Sequence, residues 1–215
     1  MSVPTKNTDK PTIVLVHGAF ADSSSWNGVI AELRQDGYPV LAPANPLRDL
    51  HADAEYLRGV LASIDGPMVL VGHSYGGSVL SEAADGATQV RALVYVANFL
   101  LEPGESTAEL AGKYPGGKLG PALHPVPFST GGTNGTDLYI QQDRFQAVFA
   151  ADVPDHAAAL MAATMRSSSN ARADSINCAA PGMGLNGSSS SCASPARNKG
   201  SLARSSWTSD SATAI

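Results

Sequence analysis

Cysteine is scarce in this chain of 215 residues: only Cys178 and Cys192 occur, both in the C-terminal stretch. Two cysteines are too few for a disulfide scaffold, and their spacing is not that of metal ligands. Positive charge is not in excess either. Fourteen Lys and Arg stand against 19 Asp and Glu, for a formal net charge of −5. With no basic stripe anywhere, the chain lacks the electrostatic footprint of a nucleic-acid binder. No apolar run approaches the length that spans a bilayer, so no membrane partner is expected. Residues Met1 to Pro11 are polar, carry Lys6 and Lys10, and precede no apolar leader core, which makes the cytoplasm the expected location. What remains is 43% hydrophobic and 15% charged, the composition of a globular domain long enough to bury one core.

The first half reads as alternating strands and helices. Thr12–Val16 is a short apolar run rich in β-branched residues, the pattern of a strand buried on both faces. Ser23, Ser24 and Ser25 are candidate N-caps for a helix carrying Trp26, Val29, Ile30 and Leu33, which Gly37 would stop. Pro39–Ala42 is a second strand. Leu50, Ala54, Leu57, Leu61 and Ile64 fall on one face of a second helix, broken by Gly66-Pro67. Met68–Val71 and Ala92–Ala97 are further strands, with a helix over Ser78–Ala84 between them. Such alternation predicts an α/β fold: a doubly wound parallel sheet with helices on both faces.

The alternation stops after Asn98. Residues 99–165 hold six prolines, a glycine pair at Gly131-Gly132, and two helical patches near Ser106–Leu110 and Asp155–Met165. They read as a lid over one edge of the sheet rather than as more sheet. From Arg166 serine dominates, Trp207 is the only aromatic residue, and no β-branched run follows. Composition predicts that this stretch stays unfolded. The expected organisation is therefore a flexible 1–10, a core over 11–98, a lid over 99–165 and a disordered tail over 166–215.

One motif carries chemistry. Gly72-His73-Ser74-Tyr75-Gly76-Gly77 matches G-x-S-x-G and lies between a strand and a helix, the context of a nucleophile elbow. The turn is tight enough to hold the serine in a strained conformation, so small residues are needed at Gly72 and Gly76. Ser74 would then project from the sheet beside the positive end of the following helix. The alternative is a glycine-rich strand–helix turn that binds phosphate or simply packs. Upstream, His17-Gly18-Ala19-Phe20 follows the strand expected to neighbour the elbow strand. A backbone N–H of Ala19 or Phe20 would join that of Tyr75 as a two-donor oxyanion hole, with His17 holding the loop.

On the wording VLVHGAF and GHSYGG, residues 11 to about 165 resemble the α/β-hydrolase superfamily, nearest its small methylesterase and hydroxynitrile-lyase-like esterases. Phe149–Met165 is similar to their small helical lid. The resemblance implies Ser74 as nucleophile, Ala19 and Tyr75 as oxyanion donors, no metal and no cofactor. It implies acyl-ester hydrolysis of a small-molecule substrate. Phe128, Phe145, Phe149, Leu160 and Met161 suggest an apolar ester, and also suit packing within the lid. A hydroxynitrile lyase or a non-catalytic ligand-binding relative are the alternatives.

The same resemblance places an acid and then a histidine beyond the lid, after two further strands. Here the five histidines are His17, His51, His73, His124 and His156, none later. The catalytic acid and histidine are therefore unassigned. Glu102 and Glu105 follow the fourth strand, where some relatives carry an alternative acid. A serine without a base is a poor nucleophile at neutral pH. The tail has the composition of GC-rich coding sequence read out of frame, or of a serine-rich tail on a truncated relative. The first origin fails if neither other reading frame downstream of codon 166 encodes two strands with an acid and a histidine. Without further strands, Ala92–Ala97 becomes an apolar sheet edge prone to self-association.

Overall fold

The computed structural model describes residues 10–98, 113, 116–131, 133–165 and 168–169. The expectations for residues 1–9, for Glu102, Glu105 and the Ser106–Leu110 patch, and for the tail beyond Ser169 lie outside them.

Four strands form a parallel sheet: β1 (Thr12–Val16), β2 (Val40–Leu41), β3 (Met68–His73) and β4 (Val90–Val96), in the order β2-β1-β3-β4. Three helices connect them: α1 (Asn27–Gln35), α2 (Leu50–Ala62) and α3 (Tyr75–Ala83). The period of two along each strand decides which helix covers which face. Val14, Val16, Met68 and Leu70 pack with Leu57 and Leu61 of α2 and Val79 and Leu80 of α3. Ile13 and Leu15 point the other way, to Trp26 and the α1 residues Val29, Ile30 and Leu33. The sheet is thus wound on both faces, as the alternating pattern predicts.

Local chemistry sets the helix ends. The cap before α1 is not one of the three serines. Asp22 takes that place, its carboxylate accepting from Ser24 N–H as the chain enters a 3-10 turn at Ser23–Trp26. A carboxylate is as good a cap as a hydroxyl and lies one residue earlier. Gly37 does stop α1, at φ +80, with its N–H donating to Arg34 O and that of Tyr38 to Leu33 O. Asp49 caps α2 through Ala52 N–H.

The segment expected to form a lid differs from its expected form. Besides α4 (Gln142–Phe149) and α5 (Asp155–Thr164), it contains an antiparallel hairpin, β5 (Leu123–Thr130) with β6 (Thr133–Ile140). Pro125 and Pro127 argue against a central strand, but β5 is an edge strand and needs no donor on its open side. Ser168–Ser169 adds a short β7 to β6, although the serine-rich composition holds no strand pattern. Backbone pairing alone suffices there, because an open edge accepts any sequence.

This segment has its own core of Ala122, Ile140, Phe145, Ala150, Val153, Ala158 and Ala162, and Phe20 of the β1–α1 loop is part of it. Core and lid are also joined by Arg48, which donates to Asp137 of β6 at 2.7 Å and lies over the Phe128 ring.

Candidate active site

Ser74 sits at the β3–α3 turn with φ 49 and ψ −127, in the half of backbone space that L-residues rarely adopt. Neighbouring backbone holds it there. Ser74 N–H donates to Val96 O at 3.0 Å, and Gly77 N–H donates to Ser74 O at 2.9 Å. The flanking glycines are steric necessities. A Cβ on Gly72 would fall 2.6 Å from Gly77 N, and one on Gly76 would fall 2.4 Å from Val16 O. These are backbone atoms that cannot swing away.

Gly18 reports how closely the β1 loop approaches. A Cβ there would lie 2.7 Å from His73 O, 2.9 Å from Ser74 Cβ and 3.3 Å from Tyr75 N. The loop that carries Ala19 and Phe20 is therefore packed directly on the elbow. Phe20 has φ 62, a second strained residue in the same small region.

Ser74 lines a cavity of about 220 Å³ together with Ala21, Ser25, His73, Ala97, Val148, Phe149 and Met161. The last three come from α4 and α5 and make that side of the cavity apolar. Of the five residues proposed for an apolar pocket, Phe149 and Met161 are in it. Phe145 is wholly buried inside the lid, against Phe149. Leu160 is 67% exposed, and Phe128 lies beside Arg48. Helical phase separates Leu160 from Met161: neighbours in α5, they project about 100° apart around the helix axis, and Met161 is the one turned to the cavity. Sequence reading missed Ala21, Ser25, Ala97 and Val148, which carry no chemical signal of their own.

The histidines are distributed as follows. His17 is fully buried, its Nε2 accepting from Asn45 N–H at 3.0 Å and its Nδ1 3.0 Å from Gly18 O. Those contacts place the proton on Nδ1, and Asn45 Nδ2 returns a bond to His17 O. This is a loop-holding role. His51 pairs with Glu82 on the surface, which raises its pKa. His124 and His156 are exposed and do not line the cavity. His73 does line it, packed edge-on against Trp26, and burial holds its pKa below the ordinary value.

A further group near the elbow escaped the sequence reading. Asp53 is 1% exposed. Its carboxylate accepts from Tyr75 OH at 2.8 Å and from Arg48 N–H at 3.2 Å. Burial raises its pKa, while the Tyr75 and Arg48 bonds oppose the rise. The signal was available: Asp53 falls between Leu50 and Leu57 on the apolar face of α2, where a lone carboxylate needs a partner.

This strand–elbow–helix arrangement on a parallel sheet covered by helices is that of an α/β hydrolase. The profile of the alpha/beta hydrolase family matches residues 13–198, and the chain belongs to that family. The matched span runs past residue 165 into the serine-rich segment. A carbendazim hydrolyzing esterase of Nocardioides sp. (strain SG-4G) is 36% identical over 113 residues, 46% of this chain and 47% of that protein. The chain thus matches about half the length of that relative. Among solved structures, polyneuridine aldehyde esterase superposes with a TM-score of 0.65 at 22% identity, over 75% of this chain and 70% of the other. A variant of tomato methylketone synthase I gives 0.61 at 23%, over 78% and 70%. A pyrethroid hydrolase from Sphingobium faniae JZ-2 gives 0.54 at 25%, over 67% and 62%. The first two, below 25% identity, speak to the fold.

Proposed function

We propose that this chain is a serine hydrolase that cleaves small apolar carboxylic esters through an acyl-serine intermediate, with residues 11–98 as its catalytic core and residues 99–165 as its lid. The observation that carries the reading is the Ser74 backbone at φ 49, flanked by Gly72 and Gly76 where any Cβ would clash, beside a cavity lined on one side by Val148, Phe149 and Met161. Strain of this kind costs about 1–3 kcal/mol and persists where function uses it. Ser74 Oγ attacks the ester carbonyl; its proton goes to a general base, a role assigned to none of the described residues, and returns to the departing alkoxide oxygen. The carbonyl oxygen becomes an oxyanion held by the Tyr75 N–H with that of Ala19 or Phe20. Collapse expels the alcohol, and water then releases the acid. The relative named as an esterase supports the same chemistry.

One observation favours a second reading. Of the histidines, only His73 lines the cavity, and it neighbours Ser74 along the chain at a turn that separates adjacent side chains. A protein that keeps the pocket and binds a ligand without turnover fits that fact. An alkyl fluorophosphonate separates the two. Labelling at Ser74 that Ser74→Ala abolishes supports the hydrolase. Binding of an apolar ester, measured by calorimetry, with no labelling supports the binding protein.

A further inference from the structure

We infer that Asp53 is a positioning residue for the oxyanion site, acting through the side chain of Tyr75. This rests on the hydrolase reading above and extends it to a residue that touches neither substrate nor Ser74.

Tyr75 is the first residue of α3 and directly follows Ser74. Its backbone N–H is the proposed oxyanion donor, so its orientation must hold to a few tenths of an ångström to be effective. The elbow backbone is strained, and a strained segment drifts unless its surroundings fix it. The hydroxyl of Tyr75 supplies such a fix by donating to Asp53 Oδ2 at 2.8 Å. Asp53 is itself held in place. It is buried in the first turns of α2, and both carboxylate oxygens accept from Arg48 N–H at 3.2 Å. The bond is part-buried, and with the carboxylate ionised it is charge-assisted, the kind that holds geometry best.

A buried carboxylate is a poor choice for stability alone. Burial raises the Asp53 pKa above 3.8, so the ionised form is disfavoured by the fold. Stability that this group contributes is complete below 3.8 and is lost as pH rises through the folded value. At neutral pH an apolar or amide side chain would serve packing as well or better. The retained charge is explained if it orients Tyr75.

The test uses the full chain and an alkyl fluorophosphonate, whose phosphoryl oxygen occupies the oxyanion site. Labelling is resolved into the affinity constant KI and the rate constant kinact for the parent, Tyr75→Phe and Asp53→Leu, which removes the acceptor at similar volume. Misorienting a donor weakens a contact made in the transition state, so kinact should fall about tenfold in both variants with KI unchanged. Melting temperatures should stay near the parent's, and the Tyr75 amide resonance should move in both. If either variant fails to fold, the other carries the test. Parental kinact in either folded variant overturns the positioning role and leaves the hydrolase reading intact. A folded parent that is not labelled at all overturns both.

Discussion

Phe20, in the loop packed on the elbow, meets Phe149 of the lid edge-on, with ring centroids 6.2 Å apart. The same Phe149 ring lines the cavity beside Ser74 and leans on Phe145 in the lid core. One aromatic chain therefore joins the proposed oxyanion loop to the roof of the pocket. The roof is set by packing, so pocket size should respond to single ring deletions.

Phe149→Ala removes the ring that the pocket and the lid share. Phe149 is half-buried, so the expected cost is about 2–3 kcal/mol, below that of a fully buried ring. The enlarged roof should shift preference toward longer acyl chains by roughly tenfold in relative kcat/KM. Measuring p-nitrophenyl esters of increasing length checks this. An unchanged chain-length profile would mean that the acyl group does not enter beneath the lid.

Two glycine substitutions should have opposite signs. Gly76→Ala drives a Cβ to 2.4 Å from Val16 O and should destabilise by roughly 3 kcal/mol or more, lowering yield and melting temperature. Gly59 lies exposed within α2 with nothing within 4 Å of an added Cβ. Gly59→Ala should stabilise by about 0.5–1 kcal/mol, because helix formation then fixes fewer accessible states. Thermal melts of the pair measure the elbow's constraint against a glycine whose added Cβ meets nothing.

Acid should destabilise the fold through His73. Its folded pKa is lowered from 6.5 by burial, so below 6.5 the unfolded chain binds protons that the folded chain does not. Stability from this group is present above 6.5 and falls as pH drops toward the folded value. His51, raised by Glu82, has the opposite sign, with stability lost as pH rises through its folded value. Comparing melting temperature against pH for the parent and His73→Gln isolates the first effect. The variant should lose less stability on acidification, and parallel curves would contradict the assignment.

The edge of the parallel sheet should drive self-association. Among the described residues no strand pairs with the far side of β4, and Val94 on it is 42% exposed. Val96, on the same face, reaches the cluster around Trp26, whereas Val94 does not. A second copy pairing there would satisfy open backbone groups and cover Val94. Val94→Lys should then shift the chain toward monomer in analytical ultracentrifugation across a concentration series. A parent that is already monomeric would remove the idea.

The elbow was legible because its physics is local. A strand, a turn and a helix within a dozen residues leave little choice of side chain at Gly72 and Gly76, so the pattern is written in consecutive positions. The strands and helices before Asn98 were legible for the same reason, since periodicity of two or near four records which face is buried. The hairpin at 123–140 was not. Its prolines and glycines resemble loop, and only the pairing of β5 with β6 turns them into strand.

Sequence by itself determined the parallel α/β layering, the place of Ser74 and the family, because each depends on short-range sterics or on burial periodicity. Tertiary structure alone decided which residues roof the cavity, that Phe20 belongs to the lid's core, and that Asp53 reaches Tyr75 across two helices. Those contacts join positions far apart in the chain, and their distances depend on how helices pack, which no spacing along the sequence encodes.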